Sequence, residues 1–342
     1  MKILAQEYDF ADVLILPQRS TLNSRQNVVL QRTFHFKYGQ EWTGIPIMSA
    51  NMDTTGTFEI AEKFSEQNLI TCLHKHYTVQ QFCDHERLIN QISENIAVSA
   101  GMSEEDFEKV SQIFEFFPEI KWICLDVANG HQESFVDVVK KYREIFPNKI
   151  IIAGNVVTAG MTEELLINGA DIVKCGIGPG SVCTTRLITG VGRPQLSTIE
   201  ECGNAAHGLE GHIIGDGGIQ NIGDFSKAFC AGADFVMVGG LFAGHTESGG
   251  TTEEIDGLLY KIYYGMSSQK AMEKNSGPVA TYKASEGKVV RLLHRGHIEP
   301  TINNILGGIR SCCAYIGARE LKHMSRRAIF VLVNNQANQM YS

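Results

Sequence analysis

The sequence predicts an α/β protein. It reads as a (β/α)8 TIM barrel with an N-terminal hairpin arm and a long lid or flap insertion after strand eight, in a single domain over residues 1–342. Three observations predict it. Eight short apolar runs alternate with segments whose apolar residues recur at helical spacing. Polar and glycine residues gather directly after those runs, where the active face of such a barrel lies. Gly169-Ala170-Asp171-Ile172-Val173 is echoed by Gly232-Ala233-Asp234-Phe235-Val236, a weak internal repeat. An open doubly wound sheet is the competing arrangement.

Residues 1–44 come before the rhythm: an arm from Asp9 to Leu16, a turn at Pro17, and an alternating stretch from Val28 to Phe36 that reads as a hairpin closing one end of the barrel. The predicted strands are Ile45–Ser49, Leu69–Leu73, Ile96–Ser99, Trp122–Asp126, Ile150–Ala153, Ile172–Cys175, His212–Gly215 and Phe235–Val238. Runs this apolar suit parallel strands covered on both faces. Phe58-Ile60-Ala61-Phe64 and Phe135-Val136-Val138-Val139-Tyr142 carry the helical spacing between them. Residues 241–297 are rich in Gly, Ser, Thr, Lys and Glu and read as a lid or a disordered insertion. A final helix is predicted over about Thr301 to Gly317, and Ser325-Arg326-Arg327 starts a surface tail over 325–342.

The totals exclude several classes. The 342 residues suffice for one elaborated barrel, and 43% hydrophobic with 20% charged residues is ordinary for a globular protein. A net charge of −8 argues against a nucleic-acid binder. No apolar run reaches the roughly 20 residues of a membrane span, and Met1-Lys2-Ile3-Leu4-Ala5-Gln6-Glu7 lacks a signal-peptide core. Nine scattered cysteines with no Cys-x-x-Cys pair read as reduced thiols in a cytoplasmic protein.

The chemistry gathers between Lys174 and Gln195. Gly176, Gly178 and Gly180 break the strand Ile172-Val173-Lys174-Cys175 into a loop whose amides and carbonyls can turn towards one centre. Cys183 follows, with Ser181, Thr184, Thr185 and Arg186 around it. Nearby positive charge or N–H dipoles would make such a thiol nucleophilic, and a hydroxyl can carry protons for it. A glycine-rich turn with a buried cysteine fits the composition equally well.

Asp216-Gly217-Gly218 and Gly239-Gly240 follow strands seven and eight, where barrels often bind phosphate through backbone N–H groups. Asp216 is an acceptor-only group suited to two ribose hydroxyls, and Ser181 can add a phosphate contact. His74 and His76 share a strand face without an evident third ligand, so Lys75 between them is the more interesting residue, as a cation near a cofactor amide or phosphate. Cys312-Cys313 is vicinal, which is awkward for a disulfide.

The unbroken run Gly-Ile-Gly-Pro-Gly-Ser-Val-Cys-Thr-Thr-Arg, residues 176–186, resembles the cysteine loop of the IMP dehydrogenase and GMP reductase family. The resemblance extends from Asp9-Phe10-Ala11-Asp12-Val13-Leu14 to Ser325-Arg326-Arg327-Ala328. It implies NADPH-dependent reductive deamination of GMP to IMP and ammonia through a thioimidate of Cys183 at purine C2. Thr185 and Glu286 form the implied proton relay. Gly265, Met266, Ser267, Lys283, Ala284, Ser285 and Gly287 close on the purine, with the phosphate and ribose at Ser181, Asp216, Gly217, Gly218, Gly239 and Gly240.

NADPH is implied to lie on the barrel face against Lys75, Asp126, Val127, Ala128, Ile177, Gly178, Met266, Tyr282 and Lys283. Ser24 and Arg25 of a neighbouring subunit, with Ser311, Cys312, Cys313 and Ala314, would hold its far end in a homotetramer. A monovalent cation, potassium by resemblance, would take carbonyls of Gly178, Gly180 and Cys183, with Arg186 supporting the loop. No separate Gly-x-Gly-x-x-Gly fingerprint opens a helix after a strand, which speaks against a Rossmann domain for the cofactor.

Dehydrogenases of that family resemble the chain as closely at the cysteine loop. They carry regulatory domains after the second strand, and here Leu73 and Ile96 are too close together to hold one. They also need an Arg-Tyr pair on a flap to activate water, and Ser267 to Glu286 has no Arg. The ending Ala284-Ser285-Glu286-Gly287-Lys288 looks like the reductase form, whereas Lys283 stands where much of that branch has Arg. The alternatives are a dehydrogenase lacking its regulatory domains, a non-catalytic purine-nucleotide-binding barrel, and a different flavin- or phosphate-binding barrel. Intact Cys183, Thr185 and Glu286 argue against the second, and the cysteine loop against the third.

Overall fold

The computed structural model describes residues 3–276 and 284–334. Its centre is a closed barrel of eight parallel strands: β1 (Ile47–Ser49), β2 (Ile70–Leu73), β3 (Ile96–Ala100), β4 (Trp122–Asp126), β5 (Ile150–Val156), β6 (Ile172–Cys175), β7 (His212–Asp216) and β8 (Phe235–Val238). Val236, Met237 and Val238 of β8 pair with Ile47, Met48 and Ser49 of β1 and complete the ring. This is the closed α/β barrel expected, and the open sheet is ruled out.

The strands explain their own composition. Ile70 and Cys72 of β2, or Ile150 and Ile152 of β5, point into the barrel and join Met48, Trp122, Cys124, Ile172, Ile214 and Met237. Their neighbours Ile151, Ala153 and Val173 point outward into the layer beneath the helices. Both faces are dry, so the period-2 alternation vanishes into continuous apolar runs. Each helix shows a single apolar stripe instead. Phe58–Ser65 buries Phe58, Ile60, Ala61 and Phe64, and Thr57 caps it by accepting the Ile60 N–H at 3.2 Å.

The antiparallel strands Arg32–His35 and Glu41–Gly44 plug the N-terminal end. Phe34 stacks on Phe235 at 4.3 Å and Trp42 meets Trp122 edge-on at 5.7 Å. The mouth at the opposite end is left for chemistry.

Two segments differ from their sequence expectation. The insertion after β8 holds a three-stranded antiparallel sheet, Thr252–Ile255, Leu258–Tyr264 and Val289–Leu293, and a helix, Gln269–Ser276. Leu258–Tyr264 is a run of strand formers, masked in composition by its Gly, Ser and Thr flanks. The final helix, Glu299–Ile316, ends at left-handed Gly317. Beyond it the chain does not trail off at Ser325: Met324–Arg327 is helical, and Phe330–Leu332 pairs antiparallel with Val13–Ile15. Among the described residues no helix is long and apolar enough to cross a membrane.

Candidate active site

A cavity of about 260 Å3 opens at the C-terminal ends of the strands. Cys183, Thr185 and Glu286 all face it, as do Ser181, Asp216, Gly217, Gly218, Gly239 and Gly240. Gly265, Met266 and Ser267 come to it from the insertion, and Asp126, Val127, Ala128, Ile177, Gly178 and Gly180 from the strand ends.

The cysteine loop leaves β6 and turns on a hydrogen bond from the Cys183 N–H to the Gly180 carbonyl, 3.0 Å. Cys183 Sγ then sits 3.2 Å from Thr185 Oγ1. Backbone hydrogen bonds staple the insertion to this loop and order its end. Thr184 N–H donates to the Glu286 carbonyl at 2.8 Å, Lys288 N–H to Val182 at 2.9 Å, and Glu286 N–H to Ser267 at 3.1 Å. Glu286 therefore reaches the wall that holds Cys183, although 103 positions separate them in sequence (286 − 183). Arg186 is committed elsewhere: its guanidinium donates to Asp9 at 2.8 Å and to the Arg193 carbonyl at 2.5 Å, tying the loop to the N-terminal arm.

The opposite wall is a backbone cradle. Gly217 and Gly218 both hold φ of +82°, a left-handed conformation that a side chain would strain. A Cβ at Gly240 would stand 2.9 Å from Ser181 Oγ, and one at Gly239 would stand 2.9 Å from the Tyr263 hydroxyl. The space those missing side chains leave is what a phosphate needs to approach N–H groups. Burial pushes the Tyr263 phenol up to about 12 against the opposing hydrogen bond with Ser181, so it stays a neutral hydroxyl.

Asp216 is held from three sides. Asn155 Nδ2 donates to its Oδ2 at 2.9 Å and Lys174 Nζ at 2.8 Å, while Gln195 Nε2 bonds its carbonyl at 3.1 Å. Lys174 also donates to Asp126 Oδ1 at 2.6 Å. Burial works against the Lys174 charge, but Asp126 and Asp216 outweigh it and hold the ammonium well above its usual range. Burial likewise opposes the Asp126 charge, and Lys174 with Asn51 pulls its carboxyl below the usual range. The sequence reading assigns no site role to Lys174, Asn155, Gln195 or Tyr263. A lysine inside an otherwise apolar strand is the signal that could have found Lys174, because a buried charge needs partners.

The remaining candidates lie off the cavity. Lys75 is 43% exposed and 3.8 Å from Asp106. Ser285 accepts the Gln269 N–H and donates to the Gly287 carbonyl; Gly287 bridges Cys183 and Ser268; Ala284 is exposed. Ser24 caps the turn Arg25–Asn27, which packs on the helix carrying Ser311, Cys312 and Ala314, away from the cavity of the same chain. Cys313 differs from its neighbours on that helix. Its thiol is fully buried in the core, and burial pushes it up to about 12. Tyr282 and Lys283 lie outside the described residues. His74 is stacked on Tyr77 at 3.9 Å, and among the described residues no three potential ligands cluster for a metal.

The model of the IMP dehydrogenase / GMP reductase domain matches residues 7–340. The chain belongs to the IMP dehydrogenase / GMP reductase family. Relatives within that family include a GMP reductase of Onchocerca volvulus, 54% identical over 98% of this chain and 93% of that protein. GMP reductase 2 of Homo sapiens is 55% identical over 98% of this chain and 96% of its own length. The GMP reductase of Vibrio atlanticus (strain LGP32) is 54% identical over 97% and 96% respectively.

Two features bear on the branch of the IMP dehydrogenase / GMP reductase family. The connection from β2 to β3 holds only two short helices, Val79–Asp84 and Glu86–Ile92, and a turn Ser93–Asn95. The segment from Ser267 to Glu286 contains no arginine.

Proposed function

We propose that this chain catalyses the NADPH-dependent reductive deamination of GMP to IMP and ammonia, in purine nucleotide interconversion. One observation carries the reading: Cys183 Sγ lies 3.2 Å from Thr185 Oγ1 on a loop whose backbone is stapled to Glu286. A nucleophile, a hydroxyl and a carboxyl thus share one cavity wall.

The phosphate of GMP sits in the cradle of Ser181, Gly217, Gly218, Gly239 and Gly240, and Asp216 accepts the ribose hydroxyls. Gly265, Met266, Ser267 and the segment Lys283, Ala284, Ser285 and Gly287 border the purine. The Cys183 thiolate adds at C2, which splits a difficult displacement into two steps. The C2 amine leaves as ammonia with a proton passed by Thr185 from Glu286, and a thioimidate remains on Cys183. Reduction at C2 then frees the thiolate and yields IMP. With no arginine on the flap to activate water, the intermediate is kept for reduction rather than hydrolysis.

NADPH supplies the hydride. Asp126, Val127, Ala128, Ile177, Gly178 and Met266 would hold its nicotinamide end, and the Asp126 carboxylate, kept ionised by Lys174, suits an amide donor. The resemblance adds Lys75, Tyr282 and Lys283 to the cofactor contacts. Ser24, Arg25 and the half-buried face near Ser311, Cys312 and Ala314 would complete it between subunits of a homotetramer. A potassium-type cation fits the carbonyls of Gly178, Gly180 and Cys183: the Gly180 carbonyl accepts one N–H and keeps a second lone pair. Arg186 braces that loop through Asp9. The reading places the enzyme in the cytoplasm.

Paired assays test it. GMP with NADPH should yield IMP and ammonia in equal amounts with NADPH consumption, while IMP with NAD+ should yield no XMP. XMP formation with inert GMP would favour the dehydrogenase alternative, and nucleotide binding without either reaction would favour a non-catalytic barrel.

A further inference from the structure

At the opposite end of the barrel lies a second cavity of about 260 Å3, lined by Arg32, His207, Asp234, Lys322, Ser325 and Arg326 among others. Nothing in the proposed reaction uses it. Asp234 immediately precedes β8, whereas Cys183 and the cradle lie beyond the far ends of the strands.

Asp234 is 2% exposed and both its oxygens are taken. Arg32 Nη2 meets Oδ1 at 2.9 Å. Oδ2 receives His207 Nε2 at 2.8 Å and the Ile213 N–H at 3.1 Å, with His212 Nδ1 at 3.5 Å. The carboxylate is spent inward, and its partners are what the cavity meets. Arg32 is fixed by that ion pair and by the Phe34 ring 4.3 Å beneath its guanidinium. One Arg32 amino group is engaged, so its other N–H donors are left over. His207 is half exposed and uses one ring nitrogen on Asp234, whose hydrogen bond raises its affinity for a proton.

The other wall is the segment after the last long helix. Lys322, 51% exposed, shares its charge with Glu320 at 2.7 Å. Ser325 and Arg326 are exposed, and Arg326 is in no ion pair among the described residues. The lining therefore carries three permanent cations against one carboxylate that is already satisfied, in a chain of net charge −8. Its free polar groups are overwhelmingly donors.

We infer that this cavity is an anion site for a phosphate-bearing small molecule, distinct from the catalytic phosphate cradle, with Arg32, Lys322, Ser325 and Arg326 as its donors. Arg32 is preorganised, so little side-chain entropy is lost on binding, and guanidinium groups match phosphate oxygens in paired geometry. The inference does not rest on the proposed reaction, and its test is a binding measurement.

Inorganic pyrophosphate is titrated calorimetrically into the full chain, into Arg326→Ala, into Lys322→Glu, and into Ser181→Ala as the control for the catalytic cradle. The expected result is a binding event in the parent that weakens about tenfold or more in Arg326→Ala, the loss of one charge-assisted contact. Lys322→Glu should weaken it similarly, and Ser181→Ala should leave it unchanged. Turnover of GMP by Arg326→Ala should match the parent. Absence of binding to the parent overturns the inference. So does binding that survives both Arg326→Ala and Lys322→Glu, or that disappears in Ser181→Ala.

Discussion

Lys174 Nζ lies 2.8 Å from Asp216 Oδ2, and the same nitrogen is 2.6 Å from Asp126 Oδ1. One buried ammonium thus joins the carboxylate proposed for the ribose to the one proposed for the cofactor. Both carboxylates accept a hydrogen bond from that one cation.

Lys174→Met should therefore injure both halves of the site at once. It leaves two facing carboxylates without their cation, and breaking such a buried set costs about 3–5 kcal/mol. Urea unfolding should show that loss. Steady-state kinetics should show raised KM for GMP and for NADPH together. A rise in only one of the two would mean that Lys174 serves a single carboxylate.

Asp53 ties the insertion to the barrel in a comparable way. It follows β1 and accepts the Tyr264 hydroxyl at 2.6 Å and Lys274 Nζ at 2.8 Å, the latter from the helix Gln269–Ser276. Lys274 is 55% exposed, so its ion pair should contribute no more than about 1 kcal/mol to global stability. Its expected effect is on position. Lys274→Ala should raise KM for GMP with a smaller change in kcat, because Met266 and Ser267 lie just ahead of that helix. Tyr264→Phe removes a buried donor and should cost about 1–3 kcal/mol in denaturant unfolding.

The barrel is legible in sequence because parallel strands covered on both faces read as plain apolar runs, and each predicted run falls within a few residues of its strand. The cysteine loop and the Asp-Gly-Gly and Gly-Gly turns are legible because glycine marks backbone that must come close to something. Ties between distant segments are not. Nothing near Lys174 in the chain announces Asp126 or Asp216, and nothing near Phe330 announces Val13. Composition misled at Leu258–Tyr264, whose flanks outweigh the strand formers Tyr260, Ile262, Tyr263 and Tyr264.

His74 makes a pH prediction. Burial, opposed by Asp53, lowers its imidazole to about 4 from an ordinary 6.5. The unfolded chain then binds a proton that the native chain refuses, so stability rises with pH between those values. The contribution is fully present above pH 6.5 and is lost as pH falls toward about 4. Urea midpoints measured across that window should fall with pH in the parent, and His74→Gln should flatten the slope. An unchanged slope would place the acid sensitivity elsewhere.

The central claim is a covalent bond between Cys183 and the purine. Mass spectrometry of enzyme quenched in acid during turnover of GMP with NADPH tests it most directly. The account predicts a nucleotide adduct on the peptide containing Cys183, absent from Cys183→Ala, which should still bind GMP but form no IMP. Undiminished turnover by Cys183→Ala, or an adduct on another residue, would contradict it.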